Sequence, residues 1–205
     1  QPGPVNWAKY NPIPVKGAVR LWSWEAFAHD AEVVSYFRWR QAPYAQEQMH
    51  AGLMYRDNTP ASGQEEAKQV SDELKKIEMP ATEQSPIALV HDYEACWMTE
   101  LDGQTHDFHY TRLLLDFYKA VRMNGGSLDI VGKNADFTGY KLVIIPSFVH
   151  FQEEDLQRVI KSGAQILAGP RTGIKTPDFQ LPPELSLEGL GFQVRRVDAL
   201  PRDLP

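Results

Sequence analysis

Four short, largely apolar runs between residues 87 and 168 constrain the fold of this chain more than any other feature. Each run has the length of a buried strand, and helical patterns separate the runs along the chain. The runs are Ile87 to Val90, Leu128 to Val131, Leu142 to Ile145 and Gln165 to Ala168. Strands that alternate with helices predict an α/β fold, a mostly parallel sheet with helices on both faces.

Two helices are predicted between these strands. The first carries an apolar stripe at helical spacing and ends at Asn124-Gly125-Gly126, a sequence typical of a helix end. Its stripe consists of Tyr110, Leu113, Leu114, Phe117 and Val121. The second helix, around Leu156 and Val159, ends at Gly163. Beyond Gly169 no periodicity is clear, and no element is predicted there.

The first part of the chain has a different order of elements. A helix from Val19 to His29 precedes a β-branched and aromatic strand, Val33 to Phe37, and a loop and a second helix follow. Ser62 and Glu65 form a capping-box pattern at the start of that second helix. This order is typical of the last βα unit of a (β/α)₈ barrel, in which the loops after the strands build the active site.

A polar segment bracketed by prolines, Glu78 to Pro86, separates the two parts and predicts a domain boundary. We therefore expect one domain to end near residue 80 and a second to begin at 81. The chain starts at Gln1 without an initiator methionine and stops at Pro205 with the sheet apparently unfinished. We expect it to be a segment of a longer polypeptide, with the second domain incomplete.

Composition argues against several classes of function. The net charge of −6 comes from scattered acids and gives no support for nucleic-acid or anionic-membrane partners. No apolar run is long enough to span a bilayer. The single cysteine, Cys96, rules out an internal disulfide or a multi-cysteine metal cluster in this chain and fits a reducing compartment such as the cytoplasm. We expect no cofactor and no metal.

The segment from Tyr36 to His50 crowds aromatic side chains, two arginines, a carboxylate and an imidazole into a few residues. Such a mix suits sugar binding, since an apolar core rarely accommodates this many charges. Glu47 and His50, at i and i+3, are also compatible with a surface helical turn. Arg38 and Arg40 lie on the same side of the predicted strand, which a solvated or charge-paired strand end would explain equally well.

The first third of the chain closely resembles the carboxyl end of the catalytic barrel of the family 42 glycoside hydrolases, the β-galactosidases. The resemblance runs from Pro2 to Leu53 over PGPVNWAKYNPIPVKGAVRLWSWEAFAHDAEVVSYFRWRQAPYAQEQMHAGL. The second part resembles that family's trimerisation domain, a flavodoxin-like or glutamine-amidotransferase-like fold. The resemblance implies that residues 1–80 end a TIM-barrel catalytic domain and that residues 81–205 form the trimerisation domain. It also implies a homotrimer that hydrolyses terminal β-D-galactosides with retention.

The resemblance implies roles for individual residues as well. Trp7 would contact the sugar, and Glu47 and His50 would hydrogen-bond to galactose hydroxyls, since a carboxylate accepts from two hydroxyls and an imidazole donates or accepts. Both catalytic glutamates are expected upstream of residue 1, and none in this segment. Three residues at the end of the strand would shape the pocket floor: Phe37, Arg38 and Arg40.

Three other features have plainer explanations than a site. His91-Asp92-Tyr93-Glu94, with His106 and His109 nearby, fits no established metal-ligand spacing. Cys96 follows the first strand of the second part and does not occupy the later strand-to-helix turn where an amidotransferase has its nucleophile. That turn corresponds to Gly169 to Gly173, which we predict to be a simple turn.

Some alternatives stay open. Trp7 is also compatible with a loop tryptophan that closes the barrel mouth. Three tryptophans of the helix and strand are predicted to pack in the barrel wall: Trp22, Trp24 and Trp39. The chain as a whole is also compatible with a non-catalytic assembly module or a carbohydrate-binding module.

Overall fold

The computed structural model describes residues 3, 9–10, 12–150, 152–182, 186–187 and 190–201. The chain forms two compact units, unit 1 from Gln1 to Thr82 and unit 2 from Glu83 to Pro205. In the described parts of both units, no helix is both long enough and apolar enough to cross a membrane.

Unit 1 is built on two helices, α1 (Ala18–Ala28) and α2 (Ser62–Leu74). The predicted first helix is confirmed to within one residue at each end. The predicted capping box at Ser62 is wrong, because the N-cap of α2 is Ala61 and no side chain caps that end. Ser62 instead lies inside the first turn, so its hydroxyl is not placed at the cap position.

Two glutamates of α2 hold α1 in place. The carboxylate of Glu66 accepts hydrogen bonds from the backbone N–H groups of Gly17, at 2.7 Å, and Arg20, at 3.0 Å. Gly17 is the N-cap of α1 and has no side chain to bond these amides, so Glu66 supplies the missing acceptor from another helix. Two turns later, Glu73 accepts from Trp24 Nε1 at 2.7 Å and from Arg20 Nε at 3.0 Å.

Residues 33–37, predicted as a strand, form no strand in the structure. Pairing begins one residue later, where Leu53 N donates to Arg38 O and Met54 N to Trp39 O, both at 2.8 Å. A β-branched run favours an extended backbone, but a strand exists only where its backbone groups meet a partner. Within the described part of unit 1, that partner is the short stretch around Met54.

Unit 2 contains a four-stranded sheet in which every pair of neighbours is parallel. The strands are β1 (Ile87–His91), β2 (Asp129–Gly132), β3 (Leu142–Ile145) and β4 (Gln165–Ala168), and they lie in the order β2-β1-β3-β4. All four strands predicted from the apolar runs are confirmed, and so is their parallel pairing.

Three helices connect these strands: α3 (Tyr93–Leu101), α4 (Tyr110–Met123) and α5 (Glu153–Lys161). The predicted α4 and α5 are confirmed. Just beyond their ends, Gly125 at φ 76° and Gly163 at φ 74° adopt the left-handed conformation that glycine tolerates best.

The sequence patterns did not predict α3. Its N-cap is Asp92, whose carboxylate accepts from Ala95 N at 2.9 Å. Apolar side chains lie on every side of this helix, so the periodicity that reveals an amphipathic helix is weak. The Asp that directly follows β1 is the signal that could have located its start. Near the end of unit 2, β5 (Ser186–Leu187) and β6 (Phe192–Gln193) form an antiparallel pair that was also not predicted.

The two faces of the sheet differ in how well they are covered. The strand register places one set of buried side chains on the first face, where Val159 of α5 packs against them. This set consists of Ala88, Val90, Val143 and Ile145. On the opposite face, Leu89 and Ile144 are buried, whereas Ile130 and Leu167 on the two edge strands are 56% and 45% exposed. The core of unit 2 therefore lies mainly between the sheet and α5.

Gly169, directly after β4, lies too close to a neighbouring backbone to carry a side chain. A Cβ at this position would lie 1.9 Å from Pro146 O. We expect Gly169→Ala to lower the free energy of unfolding of unit 2 by about 3 kcal/mol, because a backbone segment must shift to admit the methyl group. Gly132→Ala is the matched control, since a Cβ there meets no atom within 4 Å. Urea unfolding of both variants tests this expectation, and equal losses would contradict it.

The long-range cap on α1 gives a second prediction. We expect Glu66→Ala to speed amide hydrogen exchange at Arg20 about fivefold, the equivalent of a cap worth about 1 kcal/mol. Glu66→Gln keeps an oxygen acceptor, so its exchange rate at Arg20 should lie between the rates of Glu66→Ala and of the wild type.

The same cap should weaken in acid. Burial raises the pKa of Glu66, but the hydrogen bonds from Gly17 and Arg20 lower it by more, so that it lies below the ordinary value. The stabilisation of α1 by Glu66 is therefore complete at pH values above the ordinary pKa of a glutamate. It is lost as the pH falls through the lowered pKa of Glu66. Exchange at Arg20 that does not respond to either substitution would show that Glu66 does not cap α1.

Candidate functional site

The first candidate site is a loop of unit 1 whose two ends are held together by backbone hydrogen bonds. Gln41 N donates to Met54 O at 3.0 Å, and Leu53 N donates to Arg38 O at 2.8 Å. Gly52 lies at this closed base, where a Cβ would come within 2.8 Å of Arg38 O. The absence of a side chain at Gly52 therefore allows the two ends to approach each other.

Glu47 and His50 are brought together inside this loop. His50 N donates to Glu47 O at 2.9 Å, and Glu47 Oε2 lies 3.7 Å from His50 Nδ1. The backbone of Glu47 has φ 62°, in the left-handed region, so the turn that joins the two residues is not helical. The sequence spacing of three is thus explained by a tight turn that places both side chains side by side.

Arg38 and Phe37 complete the cluster around this pair. Arg38 Nη2 donates to Glu47 Oε2 at 2.9 Å, and the guanidinium lies 4.8 Å from the centre of the Phe37 ring. The same ring meets His50 edge-on, with centroids 6.2 Å apart. A carboxylate, a cation, an imidazole and an aromatic ring are therefore packed at one place.

The two members of the pair differ in exposure. The side chain of Glu47 is 36% exposed, whereas that of His50 is fully buried. A molecule arriving from solvent can reach Glu47 directly, but it reaches His50 only if the atoms that cover the imidazole move. In this structure, Glu47 is the accessible polar group of the pair.

Two other residues were named from the sequence, Trp7 and Arg40. Trp7 falls outside the described residues, so the structure does not relate it to Glu47. Arg40 does not join the cluster, since its Nη1 donates to Asn58 Oδ1 at 2.9 Å. The two arginines that share one side of the predicted strand therefore serve different partners.

Of the three tryptophans predicted to pack in the barrel wall, Trp22 and Trp39 are 48% and 67% exposed in this chain. Trp24 is partly buried beside α2, where its indole donates to Glu73. Burial of a large side chain requires a second element on top of it. The described elements of unit 1 do not cover Trp22 or Trp39.

A second group of polar side chains lies at the carboxyl edge of the sheet in unit 2. Asp92 follows β1, Lys133 follows β2 and His150 lies beyond β3, while Glu94 is in the first turn of α3. Lys133 Nζ pairs with Glu94 and lies 3.5 Å from Asp92 Oδ1, and His150 Nε2 lies 3.2 Å from Glu94 Oε2. Such an edge, where connections leave in opposite directions, is a common ligand position in open α/β sheets.

Three members of this group could in principle hold a metal ion. The ligand atoms of Asp92, Glu94 and His150 lie within 4.8 Å of one another. The ammonium group of Lys133, however, pairs with both carboxylates, at the position that a bound cation would need. The histidines of the 106–109 segment do not belong to the group. We therefore assign this cluster to charge pairing within the protein.

The charge state of the cluster follows from Lys133. Its hydrogen bond and its charge lower the pKa of Glu94, against the opposing effect of partial burial. Burial in turn lowers the pKa of Lys133, but the bond to Glu94 and the charge of Asp92 raise it by more. Because Lys133 follows β2 directly, its place on the same sheet edge as Asp92 could have been inferred once the strand order was known.

Neither Cys96 nor the turn from Gly169 to Gly173 provides the reactive thiol that an amidotransferase needs. Cys96 lies on α3, where burial and the nearby carboxylate of Glu100 raise the pKa of its thiol. The predicted turn between Gly169 and Gly173 is confirmed, with Arg171 at φ 61°. The Arg171 side chain is almost completely buried and donates to Asp102 O at 2.7 Å.

Two protein-family models match the chain. Residues 1–77 match the family 42 glycoside hydrolase model, described as β-galactosidase. Residues 85–204 match the model of the β-galactosidase trimerisation domain. Together the two matches extend over most of the sequence.

Individual relatives give the same result. The chain is 49% identical to a β-galactosidase of Thermus thermophilus, with 100% of the chain and 32% of the relative covered. A β-galactosidase of Halorubrum lacusprofundi is 39% identical, with 100% and 30% covered. The crystal structure of a β-galactosidase from the psychrophilic Marinomonas ef1 superimposes with a TM-score of 0.91 at 44% identity, covering 100% of the chain and 33% of that structure. The chain thus spans about a third of the length of the curated relatives it matches, 32% for the Thermus thermophilus protein.

The charge pairing of Lys133 leads to a prediction with a defined pH dependence. We expect Lys133→Met to lower the free energy of unfolding of unit 2 by about 1 kcal/mol at neutral pH, a modest loss because Glu94 is solvent-exposed. The pairing that lowers the pKa of Glu94 stabilises the fold at pH values above 4.5, the ordinary pKa of this carboxyl group. This stabilisation is lost as the pH falls through the lowered pKa. The difference between wild type and variant should therefore shrink in acid.

Urea unfolding between pH 3 and pH 7 measures this difference. Lys119→Met, which removes an exposed lysine of α4, is the control for the loss of one charge. If the free energy of unfolding of Lys133→Met were below that of the wild type by the same amount at every pH, the pairing would be contradicted.

Proposed function

The chain belongs to the family 42 glycoside hydrolases, the β-galactosidases, and from that premise we propose that it is part of a retaining enzyme that hydrolyses terminal non-reducing β-D-galactosides. The observation that carries this proposal is that unit 1 and unit 2 match two models of the same enzyme family. The galactoside is then the substrate, and no nucleic acid or membrane is needed as a partner. The single cysteine favours a reducing, cytoplasmic location.

Unit 1, by this proposal, is the carboxyl end of a TIM-barrel catalytic domain comprising residues 1–80. Its exposed apolar side chains support this assignment, since the rest of a barrel would cover them. They include Leu21, Trp22, Phe37 and Trp39, which are 48 to 67% exposed. Large apolar side chains exposed to this extent are costly in water unless another element packs on them.

Residues 81–205 then form the trimerisation domain, in a flavodoxin-like or glutamine-amidotransferase-like fold. The strand order β2-β1-β3-β4 supports this fold, because flavodoxin-like sheets place their strands in the order 2-1-3-4-5. We propose that the complete protein is a homotrimer, in keeping with the family model that residues 85–204 match.

Three residues are proposed to bind the sugar: Trp7, Glu47 and His50. Glu47 is the accessible group, and the bond from Arg38 fixes the direction of its carboxylate. A carboxylate held in this way accepts hydrogen bonds from neighbouring hydroxyls and can distinguish an axial from an equatorial one. His50 lies directly beside it and would join the contact when the atoms covering it move aside.

Bond cleavage requires groups other than these. Retaining hydrolysis uses one carboxylate as the nucleophile and another, about 5 Å away, as acid and base. We propose that both glutamates belong to the longer polypeptide upstream of residue 1, and that none of the residues of this chain is catalytic. Hydroxyl contacts at Glu47 would contribute by strengthening as the sugar ring distorts towards the transition state.

The test is Glu47→Gln in the full-length polypeptide, with a nitrophenyl β-galactoside as substrate. We expect kcat/KM to fall about 100-fold, because charge-assisted hydrogen bonds to hydroxyls are worth about 1.5–3 kcal/mol each. Glu65→Gln removes an exposed acid of α2 and should leave the rate unchanged. The melting temperature of both variants separates loss of binding from loss of structure.

Two results would contradict the proposal. Wild-type activity in Glu47→Gln would remove Glu47 from the sugar site. Hydrolysis by the isolated 205-residue chain would show that the catalytic carboxylates lie inside it.

A further inference from the structure

The end of α4 carries the dipeptide Asn124-Gly125, whose chemistry the proposed function does not use. The backbone nitrogen that follows an asparagine can attack the amide carbon of the asparagine side chain. A glycine in the second position hinders this attack least, because it has no Cβ. The sequence contains one Asn-Gly pair, at 124–125, and one Asp-Gly pair, at 102–103, that can form the same five-membered ring.

We propose that Asn124 is a site of spontaneous deamidation, which occurs when the last turn of α4 opens. The deprotonated Gly125 N forms a bond to Asn124 Cγ, the bond from Cγ to Nδ2 breaks, and the nitrogen leaves as ammonia. Water then opens the resulting cyclic imide at one of its two carbonyl groups and gives aspartate or isoaspartate. Water is the co-reactant and nothing is oxidised or reduced, so the reaction needs neither a cofactor nor the proposed glycosidase activity.

In the folded structure, hydrogen bonds hold both reacting groups of this pair. Asn124 Nδ2 donates to Ala120 O at 2.8 Å, and Gly125 N donates to Arg122 O at 3.0 Å. The proton that the attacking nitrogen must lose is therefore engaged, and the amide under attack is fastened to the preceding turn. Both bonds must break before the ring can form, so the rate depends on how often this turn opens.

Several local features of the α4 end favour opening. Residues 122–125 are exposed in this chain. Gly125 has φ 76°, and a Cβ there would meet no atom within 4 Å, so no neighbouring atoms pack on this residue. Beyond the helix, Arg122 Nη1 donates to Gly126 O at 3.2 Å and braces the turn. Helix ends of this kind open at a lower free energy than the core of the fold.

Asp102-Gly103 is an internal comparison, because contacts from a distant segment hold it. Its ring would form by loss of water from a protonated carboxyl group. Lys175 Nζ lies 2.6 Å from Asp102 Oδ2, and Arg171 Nη2 donates to Asp102 O at 2.7 Å. The hydrogen bond from Lys175 lowers the pKa of Asp102, against the opposing effect of burial, so the carboxyl group stays ionised at neutral pH. The same chemistry is therefore suppressed at Asp102.

Deamidation would loosen the end of α4. The Nδ2 group that donates to Ala120 O is replaced by a carboxylate oxygen, which cannot donate. A negative charge at the carboxyl end of a helix also opposes the helix dipole. Isoaspartate lengthens the backbone by one carbon atom, which displaces the amides of Gly125 and Gly126 from their acceptors on the last turn.

The experiment follows deamidation in the full-length polypeptide at mildly alkaline pH, by peptide mass spectrometry with an assay for isoaspartate. We expect Asn124 to convert in the folded protein about tenfold more slowly than in the urea-unfolded chain, because the last turn is mostly closed. Asp102 should stay unconverted in the folded protein. An Asn124 that stays intact when folded, while the unfolded chain converts completely, would overturn the inference.

The dependence on urea separates local opening from global unfolding. Below the unfolding transition, opening of one helical turn exposes little surface, so the rate at Asn124 should hardly change with urea. A rate that rises with the slope of global unfolding would show that Asn124 reacts only in the unfolded chain. That result would overturn the role of the last turn.

Two variants test whether the brace on the turn controls the reaction. We expect Arg122→Ala to deamidate about threefold faster than the wild type when folded, because it loses the bond to Gly126 O. Arg112→Ala, which removes an exposed arginine of the same helix, is the control and should match the wild type. The two variants should react alike in urea. Equal rates in the folded state would overturn control by this turn.

Discussion

The parallel hydrogen bonding of β1 to both of its neighbours is the constraint on which unit 2 depends. β1 pairs with β2 on one side and with β3 on the other, so it lies inside the sheet and must be apolar on both faces. Parallel pairing also brings the carboxyl ends of these strands to one edge. Asp92, Lys133 and His150 meet there because each follows a strand of this sheet, although they are widely separated in sequence.

In unit 1, charged side chains connect elements that are separate in sequence. Glu66 and Glu73 connect α2 to the start and the middle of α1, and Arg38 holds Glu47 inside its loop. Charged groups of this kind are directional, so they help to fix the orientation of α1 and α2, whose apolar side chains Val19 and Val70 are buried. The same directionality gives the carboxylate of Glu47 a fixed position from which it can accept hydrogen bonds.

Sequence patterns predicted those elements that a single segment can specify. The continuous apolar runs gave all four strands of the sheet, and periodic stripes gave α4 and α5. Helix α3 was missed because apolar residues surround it, and the strand expected at residues 33–37 was wrong because pairing needs a second segment. The exposure of Trp22 and Trp39 has the same origin, since burial depends on what packs against a side chain.

In the candidate sites, too, the features that depend on more than one segment could not be predicted from the sequence. The turn that joins Glu47 to His50 was not apparent from their spacing, which a helical turn would also give, and the backbone φ of Glu47 decides between the two. The pairing of Lys133 with Asp92 and Glu94 needed the strand order, which a local pattern does not contain. Trp7 stays a prediction, because it lies outside the described residues.

The backbone bonds at the base of the Glu47 loop have a consequence for how this protein can diversify. Because Leu53 and Met54 fasten the end of the loop to residues 38–41, the closure of the loop does not depend on the number of residues in it. Closing a longer loop costs little more than closing a short one, so insertions there would be tolerated. Gly52, Glu47 and His50 would have to be retained, whereas the exposed residues Tyr44 and Met49 are free to vary. The exposed part of the loop can therefore change in length and sequence, so that ligand preference evolves around Glu47 and His50 while the supporting fold stays the same.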